Sequence, residues 1–328
     1  HGHLDLLQWR LAELDAAEVD LQTFVKRAEA LQRVLRLHDR PRSEWLDGLN
    51  RAFDLLSSAM KEVGTLPAKM NESLMALERV SEQVAQEPVF LVPPYLQDVR
   101  QNQVTVMWET SGPAPSYVKY GPGGPNHKVQ EAQGDRLIHE VVLGRLKPDT
   151  IYQYRVVSGR YASPISMFQT APKQSRPFSF LVWGDNRTDW PMCDRVCQWM
   201  AKAEADFVCS VGDVVTTGAN WEEWYREYLI PMRHWSHKWP SYVAIGNHEY
   251  GGLRDMMRVP AFEQYLAHPT TSPASTEYWY SVDYSNGHFI FLDGNRFKEV
   301  RSGPNENDWR IDPADPQLAW LKQDLERA

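Results

Sequence analysis

Apolar residues near the start of the chain recur every three or four positions: Leu4, Leu7, Leu11, Leu14, Ala17, Leu21, Phe24, Ala28, Leu31 and Leu35. That period predicts an amphipathic helix close to coiled-coil spacing, overwound where two steps of three meet around Leu14 and Ala17. Pro41 breaks the pattern, and Ser43 suits the N-cap of a second helix marked by Leu46, Leu49, Phe53, Leu56, Met60 and Val63. Gly64 and Pro67 end it, and Met70, Leu74, Leu77, Val80 and Val84 mark a third. Each helix has one apolar stripe, so residues 1–87 are expected to form a helical bundle or coiled coil. Self-association through those stripes is one way to bury them. No side chain in this stretch suggests chemistry.

From Pro88 the period changes to two. Val104 to Trp108 alternates as a strand does, and so does Tyr152 to Val156. Gly121 to Pro125 (GPGGP) and Leu146 to Thr150 (LKPDT) are dense turn signals. Short strands with regular turns over 88–172 predict a small β-sandwich. The segments VTVMWET, VKYG, HEVVLGRLKPDTIYQYRV and MFQTAP resemble the fibronectin type III-like domain that precedes the catalytic domain in purple acid phosphatases. The resemblance implies that Trp108 is core and Tyr154 a packing tyrosine. His127 and His139 are expected to be strand or loop surface residues rather than ligands.

A third grammar covers 173–328. Apolar runs at Phe178–Trp183, Asp206–Val211 and Tyr242–Ile245 alternate with helical stretches at Met192–Ala205 and Trp221–Met232. This alternation predicts an α/β sheet that holds ligands at the C-terminal ends of its strands. Tyr278 to Asp293 reads as a hairpin turned at Ser285-Asn286-Gly287. Asp315 to Arg327 reads as an amphipathic helix with Leu318, Leu321 and Leu325 on one face.

Composition narrows the classes. The 328 residues are 42% hydrophobic, 12% aromatic and 24% charged, which excludes intrinsic disorder. A net charge of −8 gives no basic surface for nucleic acid. No apolar run approaches the roughly 18 residues of a membrane span. Three cysteines cannot build a disulfide framework; Cys193 and Cys197 lie one helical turn apart and Cys209 in a strand, all expected as buried thiols. The chain begins at His1 with no signal-peptide pattern after it, so the N-terminus does not report localisation.

The candidate chemistry sits at the strand ends. Each of the three apolar runs stops at a glycine followed by a hard-metal ligand type: Gly184-Asp185-Asn186, Gly212-Asp213 and Gly246-Asn247-His248-Glu249. Glycine permits the tight exit, and the next side chain then points into the crevice. Carboxylate, amide oxygen and imidazole together suit Mn, Fe or Zn. A single Gly-Asp carries little information, because turns use it constantly; three such ends in this order are specific.

The set resembles the first three motifs of the calcineurin-like metallophosphoesterases, and the segment WEEWYREYLIPMRHWSHKWPSYVAIGNHEY resembles the purple acid phosphatase-like branch. The resemblance implies a multidomain chain ending in part of an α/β metallophosphoesterase domain. It implies two divalent ions, with Asp185 a terminal ligand of the first, Asp213 bridging both and Asn247 on the second. His248 would stabilise the transition state or protonate the leaving oxygen, and the nucleophile would be a metal-bound hydroxide.

Two positions depart from the family pattern. Many members have Asp-any-His in the first motif, where this chain has Arg187. Purple acid phosphatases have a tyrosine three residues after the bridging aspartate, where this chain has Thr216. Arg187 is a candidate clamp for the substrate phosphate, with a surface salt bridge as the plain alternative. Tyr225 or Tyr250 is a candidate replacement ligand. His268 precedes Pro269 in a polar loop and His288 lies inside the predicted hairpin strand. Neither they nor Asp293 fit the family's later histidine motifs, so the domain is expected to be cut short and this chain inactive by itself. The expected function is hydrolysis of phosphate mono- or diesters, the substrate being a small phosphate ester or a phosphorylated molecule. The alternative is a degenerate phosphoesterase that serves as a binding or scaffold protein. The family resemblance leans towards an extracytoplasmic location.

Overall fold

A computed structural model describes residues 89–125, 128–132, 136–251, 258–270, 277–295, 300–301, 309–310 and 314–328. The helical bundle or coiled coil expected over 1–87, and His127, lie outside the described residues.

The first region is a two-sheet sandwich. Strands β1 (Phe90–Gln97), β2 (Gln103–Thr110) and β5 (Ile138–Gly144) pair antiparallel in the order β1-β2-β5. The facing sheet runs β4 (Lys128–Glu131), β3 (Ser116–Gly121), β6 (Ile151–Ser158) and β7 (Tyr161–Ala162), and β8 (Ser166–Gln169) also pairs with β6. Its core is built from alternate inward positions: Val104, Val106 and Trp108 from one sheet, Val118, Tyr154 and Val156 from the other. Trp108 is fully buried, as expected, and its indole N–H donates to Ser158 Oγ at 3.0 Å. His139 overturns its expected surface place. It is 1% exposed and stacks on Trp108 with centroids 4.8 Å apart. Its Nε2 lies 2.9 Å from Thr110 Oγ1. Burial lowers its pKa to about 4, so it packs there as a neutral ring.

The second region carries three parallel strands in the order β11-β10-β9: β9 (Phe180–Trp183), β10 (Phe207–Ser210) and β11 (Ser241–Val243). All three are shorter than their apolar runs: β9 starts two residues later, while β10 and β11 stop before Val211 and Ala244, which already belong to the exit loops. Helix α1 (Trp190–Met200) follows β9, N-capped by Asp189, whose side chain accepts from Met192 N. The stretch expected as one helix over 221–232 is three pieces: α2 (Trp221–Glu223), a π-helical turn (Trp224–Leu229) and α3 (Ile230–Met232). The wide turn brings Trp224, Glu227, Tyr228 and Leu229 inward together. Helix α4 (Pro260–Tyr265) precedes the hairpin β12 (Tyr280–Tyr284) and β13 (Gly287–Phe291), which pair as the sequence predicts. Strands β14 (Val300–Arg301) and β15 (Trp309–Arg310) form a short ladder.

Helix α5 (Pro316–Arg327) buries a different face from the leucine face expected of it. Gln317, Trp320 and Asp324 are buried, and Leu325 is exposed. Polar contacts explain the turn of the helix. Gln317 bonds the backbone of Asp293 through both ends of its amide, and Asp324 accepts from Ser281 and pairs with His288. A buried polar group with full partners outweighs one apolar side chain left in water.

The sandwich is bonded directly to the sheet region. Tyr154 Oη donates to His237 O, Tyr242 Oη to Val99 O, and Gln97 Nε2 to Ser241 Oγ. Tyr95 joins the core of the second region and donates to Tyr265 O. Cys193, Cys197 and Cys209 are buried free thiols, as expected.

Candidate active site

The exits of β9, β10 and β11 lie side by side because the three strands are parallel and in register: Ser210 pairs with Trp183 and with Val243. Asp185 N donates to Gly212 O, which ties the first exit to the second. His248 N donates to Asp213 Oδ1 at 3.0 Å, which ties the third to the second. Asp185, Asp213 and the Asn247-His248 pair are therefore brought to one edge of the sheet. Asn247 is exposed there, and Asp213 is largely covered.

The glycines act differently from the simple tight-exit argument. Asp185 and Asp213 themselves take left-handed backbone, at φ 51° and 54°, a conformation aspartate tolerates better than most side chains. Only Gly212 of the three strand-end glycines is left-handed, at φ 93°. Gly184 and Gly246 are required by space. A Cβ on Gly184 would come 2.4 Å from Val211 Cγ2, and one on Gly246 would come 2.2 Å from Asp213 Oδ1.

Three glutamates that the sequence reading left without a role hold the Asp213 loop. Glu249 Oε2 accepts from Asp213 N at 3.0 Å and Gly246 N at 2.6 Å, while Oε1 accepts from Val214 N at 2.7 Å. Glu227 accepts from Thr216 N at 2.6 Å and from Thr216 Oγ1 at 3.2 Å. Glu223 accepts from Thr217 N at 2.6 Å. Burial pushes the Glu249 carboxyl pKa up, and the N–H groups it caps pull against that rise. One signal was available: Glu223 and Glu227 are four apart, one face of a helix, directly after the second motif.

His248 is oriented by Thr216. Its Nδ1 lies 2.7 Å from Thr216 O. A carbonyl only accepts, so Nδ1 carries the proton and Nε2 is the nitrogen that gains or gives a second one. Thr216 therefore serves through its backbone, while its hydroxyl is turned to Glu227.

Arg187 faces the acids. Its Nε is 3.2 Å from Asp185 Oδ1 and 3.6 Å from Asp213 Oδ2, in ion-pair range of both but without an aligned hydrogen bond. The candidate replacement ligands are engaged elsewhere. Tyr250 Oη donates to Asp293 Oδ2, and the Tyr225 ring packs edge-on against Tyr265. Asp293 is fully buried and also accepts from Asn295. His268, read as lying in a polar loop, is instead buried and stacked on Tyr280, so burial drives its pKa down to about 3. His288 lies in β13 between Asp283 and Asp324.

Among the described residues, no three His, Cys, Asp or Glu side chains stand together as a ready metal cluster. The oxygen donors of Asp213 and Asn247 suit a hard divalent ion in type. On the Asp185 side the cation already present is Arg187.

Known proteins resemble this chain in sequence and in fold. Purple acid phosphatase 21 of Arabidopsis thaliana is 28% identical over 199 residues, covering 58% of this chain and 40% of the relative. Purple acid phosphatase 15 of the same plant is 26% identical over 221 residues, covering 58% and 38%. The chain thus spans about two fifths of the length of the curated relatives it matches. Among solved structures, the purple acid phosphatase PPD1 of yellow lupin shares the fold at TM-score 0.54 with 16% identity, over 73% of this chain and 49% of that one. PhoD does so at TM-score 0.53 with 14% identity, over 71% and 59%. Residues 92–170 match the family model of the purple acid phosphatase N-terminal domain, and residues 178–327 match that of the calcineurin-like phosphoesterases.

Proposed function

We propose that the region 178–327 hydrolyses phosphate esters with the help of a divalent metal ion, at the edge where β9, β10 and β11 end. The observation that carries this reading is the alignment of Asp213 with the Asn247-His248 turn: His248 N bonds Asp213 Oδ1, while Glu249 holds both loops. Asp213 and Asn247 are the residues that would hold the ion. When bound, it would polarise the phosphoryl oxygen and make water a better nucleophile at neutral pH.

The chain's own residues supply the rest. The Glu249 carboxylate fixes the Asp213 backbone, so the ligand is positioned before substrate arrives. Thr216 O holds the His248 ring through Nδ1, leaving Nε2 for proton delivery to the leaving oxygen. Arg187 supplies a permanent positive charge beside the acids, of a shape that matches a phosphate. Monoesters and diesters are both within this chemistry.

The test is hydrolysis of p-nitrophenyl phosphate and bis(p-nitrophenyl) phosphate by the full-length protein, with bound metal counted alongside. Asp213→Asn should abolish turnover and lower bound metal. His248→Ala should reduce turnover by about 10²–10⁴-fold while leaving metal content unchanged. Full activity in Asp213→Asn would overturn the assignment.

A second reading, a phosphate-ester-binding protein without turnover, is favoured by one observation. The Thr216 hydroxyl is committed to Glu227, and the Tyr250 hydroxyl donates to Asp293 instead of the site. It predicts retained binding of inorganic phosphate, with no hydrolysis at any divalent metal concentration.

A further inference from the structure

We propose that Arg187 is a built-in cation that takes the place of one metal ion between Asp185 and Asp213, so that the site holds a single divalent ion, on the Asp213–Asn247 side. This rests on the phosphoesterase reading above.

Two carboxylates from adjacent strand exits converge on Arg187, whose Nε is 3.2 Å from one and 3.6 Å from the other. Converging carboxylates need a counter-charge, and a guanidinium cannot lose its proton to make room for another. A divalent ion bound to either oxygen would sit about 2.0–2.2 Å from it, in contact with the guanidinium. The two cations compete for one position.

Among the described residues, the neighbouring groups offer little to tip that competition towards the metal. The Thr216 hydroxyl and amide both go to Glu227, whose two oxygens are occupied by them and by Arg226. The Asn186 amide nitrogen bonds Val214 O and Glu227 O, 3.3 and 3.0 Å away, and its buried Oδ1, without a hydrogen-bond partner among the described residues, is a neutral oxygen that adds no charge to set against the guanidinium. The Tyr250 hydroxyl is held by Asp293. The Asp185 carboxylate is 72% exposed and so gives an ion one oxygen ligand and solvent, a poor site on its own.

Asp213 has a second oxygen, fixed by His248 N and facing the Asn247 turn. That is the side on which an ion can share Asp213 without meeting Arg187. The terminal nitrogens of Arg187 make no hydrogen bond among the described residues, which leaves them to grip two phosphate oxygens. In this arrangement Arg187 does one part of what a first ion would do: it neutralises Asp185 and Asp213 and holds the substrate anion. It cannot activate water.

The probe is Mn(II), titrated into the full-length wild type, Arg187→Ala and Arg187→His, with bound ions counted by native mass spectrometry and their coupling read by electron paramagnetic resonance. Wild type should bind one ion per chain, with the spectrum of an isolated Mn(II). Arg187→His recreates carboxylate-any-histidine and should bind two ions, with an exchange-coupled spectrum; Arg187→Ala should bind the second more weakly. Two coupled ions in wild type would overturn the proposal and leave the metal-dependent phosphoesterase reading intact. One ion in all three would also overturn it, since Arg187 would then not be what excludes the second. No ion in any of them would overturn both. The wild-type count decides even if a variant fails to fold.

Discussion

The loops that leave β9 and β10 carry the same acid in the same left-handed conformation, yet they are held in opposite ways. The β10 loop, from Asp213 to Thr217, donates its backbone N–H groups to three carboxylates, Glu249, Glu227 and Glu223. Among the described residues, no carboxylate holds the amides of the β9 loop. It is fastened by Asp185 N on Gly212 O and by the Asn186 side chain on Val214 O and Glu227 O. Exposure follows: the Asp185 side chain is 72% exposed and that of Asp213 19%. The first loop is thus a dependant of the second. A ligand needed in one fixed position is placed where buried ionic acceptors pin the backbone, and the neighbouring acid is steered by an arginine instead.

This comparison can be broken by mutation. The largest effect is expected for Glu249→Ala, which strands buried N–H groups of Asp213, Val214 and Gly246 together. A loss of about 3–5 kcal/mol is expected in urea unfolding, because each unsatisfied buried donor carries a desolvation cost. Glu249→Gln keeps an acceptor oxygen and should recover part of it. If Glu249→Ala melts like wild type, the β10 loop is not held by this carboxylate.

Glu227→Ala should come next, at about 2–3 kcal/mol, since it frees Thr216 N and Oγ1 in a buried setting. It should also loosen His248, whose ring rests on Thr216 O; the imidazole resonances of His248 in nuclear magnetic resonance would report that, and unchanged shifts would argue against the link. On the β9 side, Asn186→Ala should cost only about 1–2 kcal/mol. Should Asn186→Ala prove as damaging as Glu249→Ala, the asymmetry between the loops is wrong.

The smallest effect is a pH dependence far from both loops. His288 bridges Asp283 and Asp324, fastening α5 to the hairpin, and those acids raise its pKa above the ordinary imidazole value of 6.5 despite opposing desolvation. A raised folded pKa means the contribution is full below about pH 6.5 and is lost as pH climbs through the folded value. His288→Gln should therefore lower Tm more at pH 6 than at pH 8. An equal or reversed difference would show that the ion pairs contribute nothing to docking.

Much of this arrangement was legible in the sequence. The change from period two to alternating strands and helices marked the passage from the sandwich to the sheet. Each apolar run ended on the motif that lies at the sheet edge. Trp108 is core, as the resemblance implied, and shares the inward face of its strand with Val104 and Val106. His139, His268 and the buried face of α5 read wrongly. A polar side chain is inexpensive to bury once it finds a hydrogen-bond partner, and those partners come from distant segments: Thr110 for His139, Ser281 and His288 for Asp324. His268 is held instead by its ring, stacked on Tyr280 as a neutral imidazole.

The sequence by itself determined the strand ends and their chemistry: Gly-Asp, Gly-Asp and Gly-Asn-His-Glu are local patterns, since one residue follows the next wherever the chain goes. Only the tertiary structure decided which groups those acids meet. Glu249 reaches back 36 residues to Asp213, and Thr216 O meets a ring 32 residues away. The place of Arg187 between two carboxylates exists only because β9 and β10 are neighbours. Hydrogen bonds and ion pairs act over a few ångströms of space, and strand pairing, not chain order, sets those distances.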